Sequence, residues 1–140
     1  MIQRLVQILL AEDNDGDVLL VRKALDEFVG GYQLLLARNG EEALDILERA
    51  GLDSSAPCPD FAVLDLNLPR CSGIQILRRL RKTPRCAAAP VIVFTSSDSP
   101  QDKAEAFRLG ANRYFQKPTD LDGFMQLGKL VKESLPDRAS

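Results

Sequence analysis

The residues able to do chemistry in this chain of 140 residues are few and far apart. Glu12 and Asp13 are adjacent, Asp65 lies well downstream, Thr95 and Ser96 close a short apolar run, and Lys117 precedes Pro118. Brought together, they would form a set of three carboxylates, a hydroxyl and an ammonium. Clustered carboxylates repel one another and are stable mainly when a cation sits among them. Oxygen-only ligands suit Mg²⁺ or Mn²⁺ rather than Zn²⁺, and lysine binds phosphate oxygens as a point charge. Such a set suits phosphoryl transfer, in which a metal and an ammonium stabilise charge on the transferring oxygens. The chain has no glycine-rich phosphate loop of the GxxxxGK[ST] kind, so a nucleotide is not the obvious donor.

Composition narrows the field further. Histidine is absent, which removes imidazole bases, His-ligated metals and a phosphohistidine on this chain. Charged residues make up 27% and the formal charge is −2, so nothing electrostatic points to nucleic acid or an anionic membrane. Cys58, Cys71 and Cys86 are odd in number, show no CxxC spacing, and read as free thiols of a reducing cytosol. The N-terminal apolar run is too short for a signal peptide, and no stretch approaches the roughly 18 apolar residues of a membrane span. The expected protein is soluble and cytoplasmic.

The elements that must position the acids alternate along the chain. Val6 to Ala11, Tyr32 to Ala37, Phe61 to Leu64, Pro90 to Phe94 and Arg113 to Gln116 read as strands. Between and after them come helices from Asn14 to Phe28, Asn39 to about Ala50, Gly73 to Lys82, Ser99 to Gly110, and Asp120 to about Leu135. On the first helix Val18, Val21, Leu25 and Phe28 share a face; on the second, Ala43, Leu44 and Leu47 point inward. Ser99, Pro100 and Asp102 combine a cap, a first-turn proline and an acid three residues after the cap. Five strands alternating with five helices predict βαβ units and a parallel sheet covered on both faces. In such sheets the crevice lies at the C-terminal strand ends. Glu12 and Asp13, Asp65, Thr95 and Ser96, and Lys117 all fall just there, whereas Arg38-Asn39 after the second strand suggests no chemistry.

Four stretches in this order resemble a response-regulator receiver domain: Ala11-Glu12-Asp13-Asn14; Leu64-Asp65-Leu66-Asn67-Leu68-Pro69 with Ser72-Gly73; Val93-Phe94-Thr95-Ser96-Ser97; and Gly110 to Pro118. The likeness runs from about Val6 to Leu135, in a single domain over 1–140 with no output domain after the fifth helix and only a stub from Pro136 to Ser140. It implies an α/β, flavodoxin-like (βα)5 fold whose doubly wound five-stranded parallel sheet has order 2-1-3-4-5, an order seen in the family's chemotaxis relative.

The resemblance also implies roles. Asp65 would be the phosphoacceptor, taking a phosphoryl group from a phosphohistidine on a sensor histidine kinase. Glu12, Asp13 and Asp65, with the backbone carbonyl of Asn67, would hold Mg²⁺. Lys117 would bind a phosphoryl oxygen and Thr95 would hydrogen-bond the phosphoryl group. Tyr114 would turn inward with Thr95, changing the surface of the fourth helix, fifth strand and fifth helix. Asn67 and Ser97 occupy positions that tune phosphoryl lifetime, and the Lys117-Pro118 bond would be cis. Two positions depart from the family pattern. Glu12 stands where aspartate is common, which could favour Mn²⁺, and Ser96 stands where alanine or glycine is usual.

The combination AEDNDGD, a proline-rich loop before the third strand, LDLNLPRCSG, VIVFTSSDSPQD and ANRYFQKP resembles the stand-alone regulators that partner bacterial phytochrome kinases. Those relatives often pair, and the fifth helix carries Leu121, Phe124, Gly128, Val131 and Leu135 on one face with Leu127 and Leu130 outside it, so a homodimer through the fourth helix, fifth strand and fifth helix is expected. Such a protein is no enzyme beyond its own phosphorylation and dephosphorylation. The rivals are a Mg²⁺-dependent phosphatase or phosphotransferase acting on a small substrate, a phosphorylation-independent binding module, and a flavodoxin-like cofactor binder. Asp15 and Asp17 read as cap and first-turn acids. Arg78, Arg79, Arg81, Lys82 and Arg85 read as a solvated basic face, with Ile74, Leu77 and Leu80 pointing the other way. Without a cue for a low pKa, the thiols read as inert.

Overall fold

A computed structural model describes residues 5–135; the stub beyond Leu135 and the first four residues lie outside this range. Five strands, β1 (Val6–Ala11), β2 (Tyr32–Ala37), β3 (Phe61–Leu64), β4 (Val91–Thr95) and β5 (Arg113–Gln116), form one parallel sheet in the order β2-β1-β3-β4-β5. Five helices connect and cover them: α1 (Asp15–Phe28), α2 (Gly40–Leu52), α3 (Gly73–Arg81), α4 (Pro100–Arg108) and α5 (Leu121–Ser134). The expected alternation and strand order are both present. A short 3-10 helix, Pro84–Cys86, fills the connection after α3 and was not foreseen.

The strands are near-continuous apolar runs because both faces are covered. Alternate residues feed two cores. Leu9, Ala62, Leu64, Val91 and Val93 meet Leu47, Ile76, Leu77 and Leu80 on one side. Ile8, Leu10, Phe61, Val63, Ile92 and Phe94 meet Val21, Leu25, Phe124 and Leu127 on the other. Helix starts follow side-chain caps. Asn14, Asn39, Ser72, Ser99 and Asp120 each accept a bond from a backbone N–H two or three residues into the helix. The reciprocal capping box occurs at Ser72 and Gln75. At Ser99 it does not form, because Asp102 accepts from the Ser97 hydroxyl instead (2.7 Å).

Several expectations shift. β4 begins one residue later and includes Thr95, α2 runs on to Leu52, and α4 stops at Arg108. Phe28 and Leu44 are half-buried rather than inward. Leu127, placed outside the stripe of α5, is fully buried, because Gly128 lets that helix approach α1 until the two backbones nearly touch. The apolar arc that suggested a dimer face therefore belongs largely to the core; within it Leu121 remains exposed. The basic run is not one solvated face either. Arg81 donates to the carbonyls of Ala87, Ala89, Leu109 and Gly110 (2.7–3.2 Å), and Arg85 to those of Ala50 and Asp53 (3.0 Å each). The three cysteines are free, and burial, followed by a hydrogen bond with Cys58, pushes the Cys86 thiol up to about 12. The raised value agrees with an inert thiol at Cys86. No helix among the described residues is long and apolar enough to cross a membrane.

Candidate functional site

The sheet order sets β1, β3, β4 and β5 side by side, so their C-terminal ends bring the separated groups together. Glu12 follows β1 and is buried, at 1% side-chain exposure. Its backbone N–H is tied to Ala37 O (2.9 Å), and its Oε2 accepts from Asn14 N (3.1 Å). Asp65 follows β3, with its N–H held by Ala11 O (3.0 Å). Thr95 ends β4 and is fully buried. The Lys117 N–H donates to Thr95 O (2.8 Å), which anchors the lysine backbone directly after β5.

Asp65 is the hub. Its Oδ1 accepts from Thr95 Oγ1 (2.9 Å) and from Asn67 N (3.0 Å), while its Oδ2 lies 2.9 Å from Lys117 Nζ. The same ammonium lies 2.7 Å from Glu12 Oε1, a buried atom whose counter-charge it supplies. It also lies 2.9 Å from Asp17 Oδ2. Burial works against the lysine's charge, but the bonds from Glu12, Asp17 and Asp65 more than offset it and hold its pKa above the usual lysine range. For Glu12 burial dominates and raises the carboxyl pKa, against the lowering pull of Lys117 and the Asn14 N–H.

Glu12, Asp13 and Asp65 each offer a carboxylate oxygen within 4.8 Å of the others, with Asp13 exposed at the mouth. Three hard oxygen donors with no nitrogen or sulfur among them fit a Mg²⁺-like or Mn²⁺-like ion. One ammonium shared among several acids leaves the cluster with net negative charge, which a divalent cation would relieve.

The outer residues are placed as follows. Tyr114 is half-buried and its hydroxyl already donates to Ser97 O (2.9 Å), with Lys103 Nζ 5.5 Å from its ring centre. Ser97 N in turn reaches Thr95 Oγ1 (3.4 Å). Hydrogen bonds thus run from Asp65 through Thr95 and Ser97 to Tyr114 and, through Asp102, to the start of α4. Asn67, whose N–H bonds to Asp65, and Ser96, next in the chain after Thr95, are both exposed. The Lys117-Pro118 bond is trans, not cis, since no described peptide bond is cis. Trans is the ordinary preference for X-Pro bonds, and the flexible four-carbon stem of lysine reaches the acids from it. Sequence reasoning missed Asp17, treating it as a first-turn acid; its neighbour Asp15 pairs with Arg38. In the sequence Asp17 carries only the mark of a first-turn acid.

The comparisons with known proteins fit this geometry. A family model described as the response regulator receiver domain matches residues 8–128. The response regulator Rcp1 of Synechocystis is 31% identical over 120 residues, covering 86% of this chain and 82% of that protein. The crystal structure of the phosphorylated cyanobacterial phytochrome response regulator RcpA superposes with a TM-score of 0.84 at 30% identity, covering 98% of both chains. The Mn²⁺-bound form of Rcp1 superposes with a TM-score of 0.81 at 28% identity, covering 94% of this chain and 99% of that one. With Glu12, Asp65, Thr95 and Lys117 brought together from four strand ends, and the matching model spanning nearly all of the sheet and helices, this chain belongs to the response regulator receiver domain family.

Proposed function

We propose that Asp65 accepts the phosphoryl group and that Glu12, Asp13 and Asp65 hold Mg²⁺, with the Asn67 carbonyl completing the protein's ligands. The observation that supports this most directly is Asp65 itself. It is a nearly buried carboxylate with one oxygen on a hydroxyl and the other on an ammonium, beside two further acids. An oxygen of Asp65 forms a bond to phosphorus, the bond from phosphorus to the partner's imidazole nitrogen breaks, and that nitrogen recovers a proton from solvent. Lys117 offers N–H donors to the phosphoryl oxygens and Thr95 a hydroxyl, both already in place. The divalent ion, when bound, neutralises charge that would otherwise oppose an incoming phosphate. Mn²⁺ would serve in the same place, a reading supported by the Mn²⁺-bound form of the similar regulator Rcp1.

The phosphoryl donor in this reading is a sensor histidine kinase of the phytochrome kind, because the relatives above include a phytochrome response regulator by name. The output is a changed surface on α4, β5 and α5, reached through Thr95, Ser97 and Tyr114. Asn67 and Ser97 would set the lifetime of the aspartyl phosphate. In this reading the receiver domain acts as a cytoplasmic switch whose only chemistry is its own phosphorylation and dephosphorylation. A homodimer through the α4, β5 and α5 face is part of this reading; exposed Phe107 and Leu121 lie on its helices. A monomer at tens of micromolar in sedimentation would remove that part alone.

The test is incubation with Mg²⁺ and a small phosphodonor or an autophosphorylated kinase. One phosphoryl group per chain, lost in Asp65→Asn, is the expected result. Undiminished labelling of that variant would show that another residue is the acceptor, and turnover of a phosphomonoester would favour an enzyme instead.

A further inference from the structure

The Lys117 ammonium has three N–H donors and no more. Three carboxylates surround it: Glu12 at 2.7 Å, Asp17 at 2.9 Å and Asp65 at 2.9 Å. Two of these, Glu12 and Asp65, belong to the trio that can converge on a divalent ion. Asp17 does not. Whenever Glu12 and Asp65 serve a cation, they divide their oxygens between it and the lysine. Asp17 is then the acid on Lys117 with no second duty.

Its own placement is fixed from elsewhere. Asp17 sits in the first turn of α1, where its N–H donates to the capping Asn14 Oδ1 (2.9 Å). Its side chain is 24% exposed and reaches across to Lys117, exactly 100 positions along the chain. The nearby Arg38 is taken by Asp15, so Asp17 has Lys117 as its one cationic partner among the described residues. An ordinary first-turn acid would act on its own helix; this one is turned away from it, toward the strand ends. Lysine has a flexible stem that loses substantial rotamer freedom when fixed. Phosphoryl transfer gains much of its rate from orientation. A residue that pre-orients the ammonium without competing for the metal therefore contributes to the reaction at a distance.

We infer that Asp17 is a positioning residue for the phosphorylation of Asp65: it anchors one donor of Lys117 so that the other two stay directed at the phosphoryl oxygens while Glu12 and Asp65 engage the metal. The inference rests on the phosphoacceptor reading above and goes beyond it. The alternative is a purely structural acid at the start of a helix.

The experiment uses the full chain with Mg²⁺ and acetyl phosphate. In the labelling step a carboxylate oxygen of Asp65 bonds to phosphorus, the bond from phosphorus to the acetyl oxygen breaks, and acetate leaves. Asp17→Ala labels about tenfold more slowly or worse, the loss expected when a charge-assisted hydrogen bond that orients a reacting group is removed. Its Mg²⁺ affinity, read by calorimetry, stays within a few-fold of wild type. Asp17→Asn keeps an acceptor oxygen in the same place and recovers most of the rate. Wild-type labelling by Asp17→Ala overturns the inference, and so does an equal loss in both variants, which would make charge rather than orientation the cause. A lowered melting temperature with unchanged labelling also overturns it, since that is the signature of a helix-start acid. Failure of the underlying reading is seen separately: wild type that takes no label, or Asp65→Asn that does, refutes the phosphoacceptor assignment, and the role of Asp17 falls with it.

Discussion

Replacing Lys117 by methionine keeps an unbranched side chain and removes the charge that three acids share. Glu12 is 1% exposed and Asp65 6% exposed, so neither can recover its lost partner from bulk water without rearrangement. Lys117 is itself 13% exposed. Removing one member of a buried ion pair costs about 3–5 kcal/mol, because the remaining charge is left uncompensated. Partial solvent access at Asp17, 24% exposed, argues for the lower end, about 3 kcal/mol. For a chain of this size that corresponds to a fall in Tm of about 10 °C. The pH dependence has a definite sign. Burial already raises the Glu12 carboxyl, and losing the ammonium raises it further. A carboxyl whose folded pKa lies above its unfolded value destabilises the fold increasingly as pH rises through the unfolded value. The deficit of Lys117→Met is therefore largest near neutrality, shrinks as acidification takes the medium down through the raised folded range of Glu12, and for this carboxyl is gone by about pH 4.5, the ordinary glutamate value. Mg²⁺ should restore part of it, since a cation bound only by the folded state stabilises by mass action. The assay is urea unfolding at several pH values, with and without excess Mg²⁺. A variant within about 0.5 kcal/mol of wild type at neutral pH without metal would refute the idea that this ammonium neutralises the acid cluster. A deficit that does not change with pH would refute the part assigned to Glu12.

Other outcomes follow from the scaffold. Gly128→Ala places a methyl 2.6 Å from Ala24 O, so α1 and α5 must separate; a loss of about 1–3 kcal/mol in thermal or urea unfolding is expected. Arg81→Ala leaves four backbone carbonyls to find water, and a loss of about 2 kcal/mol or more should appear in the same measurement. Burial and then the hydrogen bond to Asp26 push the Tyr32 phenol up to about 12 from 10.0. Absorbance titration of a Tyr114→Phe background should place its midpoint there, and Asp26→Asn should bring it down. Because the unfolded phenol ionises first, stability falls as pH rises between those two values.

Much of the fold was legible because it is written in local patterns. VQILLA, FAVL and PVIVF are apolar without alternation, which only a strand covered on both faces requires. Asn14, Asn39, Ser99 and Asp120 mark helix starts by the hydrogen bonds that their own short side chains make. Glu12, Asp13, Asp65, Thr95 and Lys117 were legible as candidates because each stands directly after a strand, where parallel sheets carry their crevice. What misled were particular judgements about faces, although Val18, Val21, Leu25, Ala43, Leu47, Leu77 and Leu80 are buried as expected. Leu127 looked peripheral on a helical stripe, yet Gly128 draws α5 close enough to α1 to bury it. Arg81 looked solvated beside its basic neighbours, yet chain turns far along the sequence present it with carbonyls.

By itself, then, the sequence determined the kinds of groups available, the alternation of elements and the edge of the sheet at which those groups emerge, since each depends on neighbours a few positions away. Tertiary structure alone decided which groups touch. It set β1 between β2 and β3, turned Asp17 toward Lys117 across 100 positions, and gave Asp65 a hydroxyl on one oxygen and an ammonium on the other. The physical reason is that burial and charge pairing depend on distances between atoms remote in the chain, and no local pattern encodes those distances.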